Sequence, residues 1–289
     1  MTRLTQAIVN LTRLTSLSTR VLADVPFLAT ALVQRPPTYT LPASGTAAGV
    51  AGYFGGGYSP SLVSRIDKIT FPADTKTTLS ATLTSASAEG SGMANGAVAG
   101  YFAGMANPSA VSLIDKITFP ADTKTTLSAT LTAVNVSPAA MANSSVAGYF
   151  GGGNDGARLS GIDKITFPAD TKTTLSATLT AAVKFNAAMA NSGVAGYFGG
   201  GSGPAVHVNT IDKITFPSDT KTTLSATLTA IRSSLAGMAN SGVAGYFGGG
   251  DSSTNIIDKI TFPADTKTTL SATLTGNTAD LAAMANGGV

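Results

Sequence analysis

The sequence predicts an all-β fold, a five-bladed β-propeller of four-stranded blades. Three observations predict it. A unit of about 48 residues recurs five times from about Gly45 onward in the 289-residue chain, marked by the string AGYF with its tyrosine at Tyr53, Tyr101, Tyr149, Tyr197 and Tyr246. Inside each unit, β-branched and apolar residues alternate with polar ones at a period of two, the pattern of half-buried strands. Turn signals cut each unit into four short segments, and four strands in roughly 40–50 residues, repeated, make one propeller blade.

The elements follow in chain order. Leu4, Ile8, Leu11, Leu14, Val21 and Leu22 fall near helical spacing, which predicts a short α-helical N-terminal segment. Asp24 is placed to cap a second short helix running to Val33, ended by Pro36-Pro37. An apolar helical stripe needs a surface, so residues 1–45 are expected to anchor and oligomerise the chain, as a trimeric bundle of sister chains, with a Pro-rich linker at 36–45. Residues 46–289 form the propeller. Polar residues interrupt the apolar ones from Leu4 to Leu22, and Val25–Val33 is short and contains Pro26, so neither a signal peptide nor membrane insertion is expected and the mature protein is read as starting at or near Met1.

Each repeat then offers strands b (VAGYFGGG), c (IDKITF) and d (TTLSATLT), with strand a being the Ala-rich segment that ends in MAN. In strand d, Leu79, Ala81 and Leu83 should face inward and Thr78, Ser80 and Thr82 outward. Asn191-Ser192-Gly193 and its equivalents suit tight hairpins. Phe71-Pro72-Ala73-Asp74 suits a type I turn with Pro at its second position, and Asp74 is expected to cap that same turn. The repeated Asp67-Lys68 pairs read as a solvated ring of charges. The first repeat lacks a strand a and the last supplies one. Residues 281–287 beside residues 49–57 would therefore close the ring with the N- and C-terminal strands and leave no open edge. The alternative is a stack of repeats paired between chains.

Composition excludes much chemistry. There is no Cys and one His (His207), so disulfide scaffolds, Cys nucleophiles and multi-His metal sites are ruled out within one chain. One acid per turn is too few for a calcium site, and neither a metal nor a cofactor is expected. The formal net charge of +3 lies wholly in residues 1–45, so the repeats carry no basic face for nucleic acid.

Two segments per repeat vary while the rest barely changes. One follows YFGGG and the other follows SATLT. Antiparallel alternation puts both on one face and the constant NSG and PADTK turns on the other. Variable loops on a rigid scaffold are where binding residues collect. The candidate ligand-binding residues are Tyr58, Arg65, Asn154, Asp155, Arg158, Lys184, Phe185, His207, Asn209, Arg232 and Asp251. Loop drift after recent duplication is the competing explanation. No enzymatic activity is expected, because a glycan lyase or hydrolase needs paired carboxylates and Glu89, Asp155, Asp251 and Asp280 are scattered over different repeats.

YFGGG, then ID-K-ITF, then a small-residue strand ending in Asn-Gly or Asn-Ser-Gly, resembles a kelch-type repeat. Its double glycine would be Gly55-Gly56, Gly151-Gly152, Gly199-Gly200 and Gly248-Gly249, with Ala103-Gly104 in the second unit and no kelch Trp anywhere. The missing Cys and His exclude a copper oxidase of the kelch-like type. The repeats also resemble the Tyr-Phe-Gly-Gly repeats of bacteriophage proteins, cyanophage tail fibres and appendages in particular. That resemblance implies a virion structural protein on the tail or surface, joined to other tail or baseplate proteins. Its propeller head would recognise a host surface polysaccharide or protein. A ligand-free structural or decorating role is the second expectation.

Overall fold

The computed structural model describes residues 51–107, 109–251 and 254–284. The helical segment expected at residues 1–45, with Leu4, Ile8, Leu11, Leu14, Val21 and Leu22, lies outside the described residues. Among the described residues there is no helix. The architecture is all-β and propeller-like. The first sheet has three strands, Ala51–Gly55, Arg65–Thr70 and Thr75–Thr82. The second has four, Ser91–Asn95, Ala99–Ala103, Ile114–Thr118 and Thr123–Thr126. The third (Ala139–Asn143, Ala147–Gly151, Ile162–Thr166, Thr171–Thr174) repeats it. So do the fourth (Ala187–Asn191, Ala195–Gly199, Ile211–Thr215, Thr220–Thr223) and the fifth (Ala236–Asn240, Ala244–Gly248, Ile257–Thr261, Thr266–Thr269).

All pairings are antiparallel in the order a-b-c-d, and each MAN strand pairs with the Tyr-Phe strand of the following repeat. The register sets Tyr149 between Met141 and Lys164, with the same trio in the fourth and fifth sheets. The a strands lie innermost, and Met93, Met141, Met189, Met238 and Met284 line a central cavity of about 460 Å³.

Neighbouring sheets pack by close approach. The Phe198 ring seats over Gly151, where an added Cβ would lie 2.7 Å from it, so the glycine sets the spacing. Ile162, Ile165, Ile211 and Ile214 are fully buried. Each buried aliphatic side chain contributes about 1.5–3 kcal/mol.

Three expectations are corrected. Strand d pairs over only TKTT in the second to fifth sheets, although TTLSATLT alternates throughout. Beyond the strand a later Thr reaches the neighbour: Thr132 donates its backbone N–H and hydroxyl to Asp163 of the next repeat, at 2.7 and 2.6 Å. The Phe–Pro bonds are cis in all five turns, and in the third and fifth the Asp N–H donates to the Thr carbonyl four residues back, as Asp170 does to Thr166 O at 2.8 Å.

Nor is the Asp-Lys ring solvated. Asp115 and Asp258 are fully buried and Asp163 and Asp212 nearly so. The lysines cross to the next repeat, where Lys116 Nζ lies 2.6 Å from Asp170 Oδ2 and the Tyr101 hydroxyl donates to Asp170 Oδ1 at 2.7 Å. The turn aspartates therefore hold the preceding repeat and do not simply cap their own turn. The same pair of bonds joins Tyr53 and Lys68 to Asp122, Tyr149 and Lys164 to Asp219, and Tyr197 and Lys213 to Asp265. Each such tyrosine also stacks on the next repeat's Phe, as Tyr101 does on Phe167 with centroids 5.0 Å apart. Burial, then the hydrogen bond to Asp170, pushes the Tyr101 phenol well above its usual range.

Candidate functional site

The antiparallel order places the b–c and d–a connections at one end of every sheet, and the backbone joins them. Gly57 N–H donates to Ser87 O, Gly153 to Val183, Gly201 to Arg232 and Gly250 to Thr278. The two variable segments thus form a single surface layer, as the alternation of strand direction requires.

It holds an open cavity of about 380 Å³, and every repeat contributes to its lining. The contributors are Glu89, Ser137, Phe185, Ser234 and Asp280, the fifth residue after each SATLT string. All five adopt positive φ, between 52° and 58°. They are linked in series, with Ser137 N–H donating to Glu89 O, Phe185 to Ser137, Ser234 to Phe185 and Asp280 to Ser234. Of these five, the sequence reading singled out Phe185 alone as a binding residue and missed the other four. A signal was available in their spacing, since in each copy they stand at the same distance from SATLT.

Glu89 and Asp280 lie at opposite ends of the repeat array in sequence, yet both line this cavity. Ser137 Oγ donates to Glu89 Oε2 at 3.0 Å. Lys184 Nζ sits 4.4 Å from the Phe185 ring centroid, fixing the ring beside a cation. The cavity therefore offers an aromatic surface, two carboxylate acceptors and hydroxyl groups.

The remaining expected residues fall outside it. Tyr58 is 74% exposed on the first b–c loop, and Arg65 pairs loosely with Asp67 at 3.7 Å. Asp155 is exposed and accepts from Ala157 N of its own loop. Arg158 is brought to Asn154 Oδ1 and to Ser202 O of the next repeat. His207 Nε2 lies 3.2 Å from Asp251 Oδ2, and Asp251 also accepts from Ser233. His207, Val206 and Ile231 line a second, shallower hollow of about 250 Å³. Asn209 is partly buried and faces Leu228 O at 3.5 Å.

Arg232 is a correction. It is fully buried, and its guanidinium donates to Gly249 O, Ile256 O, Phe247 O and Asp258 Oδ2. The third residue after SATLT points beneath the b–c loop in the first four repeats, and Ser87, Asn135, Val183 and Arg232 are all buried there. Arg232 satisfies carbonyls of the fifth sheet and is closed to an outside ligand. Burial pulls its pKa down and Asp258 opposes that pull.

Among the described residues no group of three or more Asp, Glu or His is placed to hold a metal ion. The chain matches no protein-family model and no curated protein sequence.

Proposed function

We propose that the variable face is a recognition surface for a host-surface polymer, a glycan, bound at the open cavity and the loops around it. One observation carries this. In five repeats whose strands are nearly identical, one register brings Glu89, Ser137, Phe185, Ser234 and Asp280 to a single cavity rim. A cavity of this size falls within the range of small-ligand sites. Phe185 offers a sugar ring an apolar face, while Glu89, Asp280, Ser137 and Ser234 offer acceptors and donors to its hydroxyls. Weak contacts on several loops sum through multivalency.

In this reading the head is a five-bladed kelch-like ring closed by its terminal strands. Residues 1–45 join it to sister chains and to other proteins of a virion tail or surface appendage. The likeness to Tyr-Phe-Gly-Gly repeats supports that setting. A glycan array with the full chain, followed by inhibition of adsorption to host cells, tests it. Binding that falls at least tenfold in Phe185→Ala supports the reading. No binding to any surface polymer leaves the ligand-free structural role instead.

A second reading follows from the meeting of Glu89 and Asp280. Two carboxylates in one cavity are the minimal set for glycoside hydrolysis. Release of reducing ends from a bound glycan, abolished by Glu89→Gln or Asp280→Asn, would favour cleavage over binding.

A further inference from the structure

The polar groups that line the variable-face cavity are unevenly matched. Most of its donors are already engaged within the protein. Ser137 Oγ donates to Glu89 Oε2 at 3.0 Å, and Ser91 Oγ donates to Pro138 O. The N–H groups of Ser137, Phe185, Ser234 and Asp280 are used in the serial bonds between neighbouring loops. Asn186 Nδ2 turns to Gly151 O at 3.4 Å.

The acceptors are left over. Glu89 and Asp280 stand at the exposed rim, and neither has an ion-pair partner among the described residues. The aspartates between the sheets differ: Asp115 holds Lys124 at 3.0 Å and Asp163 holds Lys172 at 3.1 Å. Deeper in the same cavity lies Asn186, only 7% exposed, and its Oδ1 has no hydrogen-bond partner. A buried amide oxygen left without a donor is destabilising, and a bound group that donates to it relieves that cost. Ser234 adds a hydroxyl that can donate or accept.

The charge is equally one-sided. No Lys, Arg or His belongs to the cavity lining. Lys184, held 4.4 Å from the Phe185 ring centroid, lies outside that lining and shows the ring accepting a cation.

We infer that the cavity takes the primary ammonium of a free-amine hexosamine within the bound glycan. Glu89 and Asp280 supply the opposite charge, and Asn186 Oδ1 is a further acceptor. An ammonium brings three donors and no acceptor, the complement of what the cavity leaves unused. Its hydrogen bonds to a carboxylate are roughly twice as strong as neutral ones. A uronic or sulfated sugar would set further anions against the two carboxylates, and that repulsion selects against it. Calcium fits less well. It takes about six to eight oxygens, and no group of three or more Asp, Glu or His converges among the described residues. The inference rests on the glycan reading and names the sugar chemistry that the site selects.

Titration calorimetry of the full chain tests it with three probes of equal length: a glucosamine oligomer, its fully N-acetylated counterpart and a galacturonate oligomer. The glucosamine oligomer should bind at least about tenfold tighter than either of the others. Raising the ionic strength from about 0.1 M to about 1 M cuts the screening length from about 10 Å to about 3 Å, and should remove most of that preference. Both results need no variant. Glu89→Gln and Asp280→Asn should each bring the affinities for the glucosamine and N-acetylated oligomers together. Equal affinity of the unsubstituted protein for those two, or tighter binding of the galacturonate, overturns the amine assignment and leaves the glycan reading standing. Binding that needs added calcium and is lost in EDTA gives the carboxylates to a metal and overturns the assignment as well. Silence toward all three probes, with another polymer positive on the glycan array, overturns the amine assignment alone. Silence on the array too counts against the glycan reading itself.

Discussion

Replacing Asp170 by Asn tests the contacts that hold the sheets together. Asp170 accepts from the Tyr101 hydroxyl at 2.7 Å and from Lys116 Nζ at 2.6 Å, with both charged side chains under 20% exposed. Its φ of 56° is tolerated by Asn as well as by Asp, so the change leaves the backbone unstrained. Asn keeps an acceptor for Tyr101 and turns the other atom into a donor facing the lysine. A charged hydrogen bond contributes about 1.5–3 kcal/mol, and partial exposure lowers that. The expected loss is about 1–3 kcal/mol. For a unit of this size each kcal/mol shifts Tm by about 2–4 °C, so the Tm should fall by roughly 2–12 °C. Scanning calorimetry reads it, with exposed Asp155→Asn as the control. A shift no larger than the control's would refute the view that these aspartates join the repeats.

Three further outcomes follow from the same geometry. Stability should fall at both pH extremes. Burial alone would raise Asp115 and Asp258, but bonds from Thr84 and Thr229, then Thr126 or Thr269 and a lysine, outweigh it and hold both below the usual carboxylate range. That stabilisation is full above about pH 4 and is lost as pH falls below it. The tyrosines Tyr101, Tyr149 and Tyr197 are raised, so their contribution is full below pH 10 and lost above it. A Tm that is flat from pH 2 to 11 would contradict both limbs. Arg232→Ala should cost about 3–5 kcal/mol in urea unfolding by stranding carbonyls and the buried Asp258, while any glycan affinity stays within twofold; a large affinity loss in folded protein would restore Arg232 to the site. Gly153→Ala should destabilise by about 1–3 kcal/mol, since φ is 105° and the new Cβ would meet Asn135 Oδ1 at 1.8 Å; an unchanged unfolding midpoint would contradict that placement.

Much of this was legible in the sequence. Period-two alternation in IDKIT and AGYF, with turn strings between them, is enough to place the strands and to sort the loops by face. What could not be read is which copy a side chain bonds. Asp74, Asp122, Asp170, Asp219 and Asp265 stand in nearly the same string, and nothing local says that such an aspartate binds a tyrosine 68–70 residues away in place of its own turn. Strand d was overread for a related reason. Leu127 and Leu131 keep the strand period, yet the pairing stops at Thr126 and Thr132 bonds Asp163 of the next repeat, a partner the local sequence does not name. Arg232 misled because a lone arginine in a small-residue loop resembles a contact residue, and only the fold shows three carbonyls and one carboxylate converging on it beneath that loop. The five cavity residues were passed over because Glu, Ser, Phe, Ser and Asp share a backbone conformation and a spacing but no single side-chain chemistry.

The proposed closure of five sheets, packed face against face, into one disc is tested most directly by electron microscopy of the full chain. Class averages with five equal lobes around a small axial hole, and no gap wider than its neighbours, are the predicted result. A crescent, or lobes in a row, would contradict it.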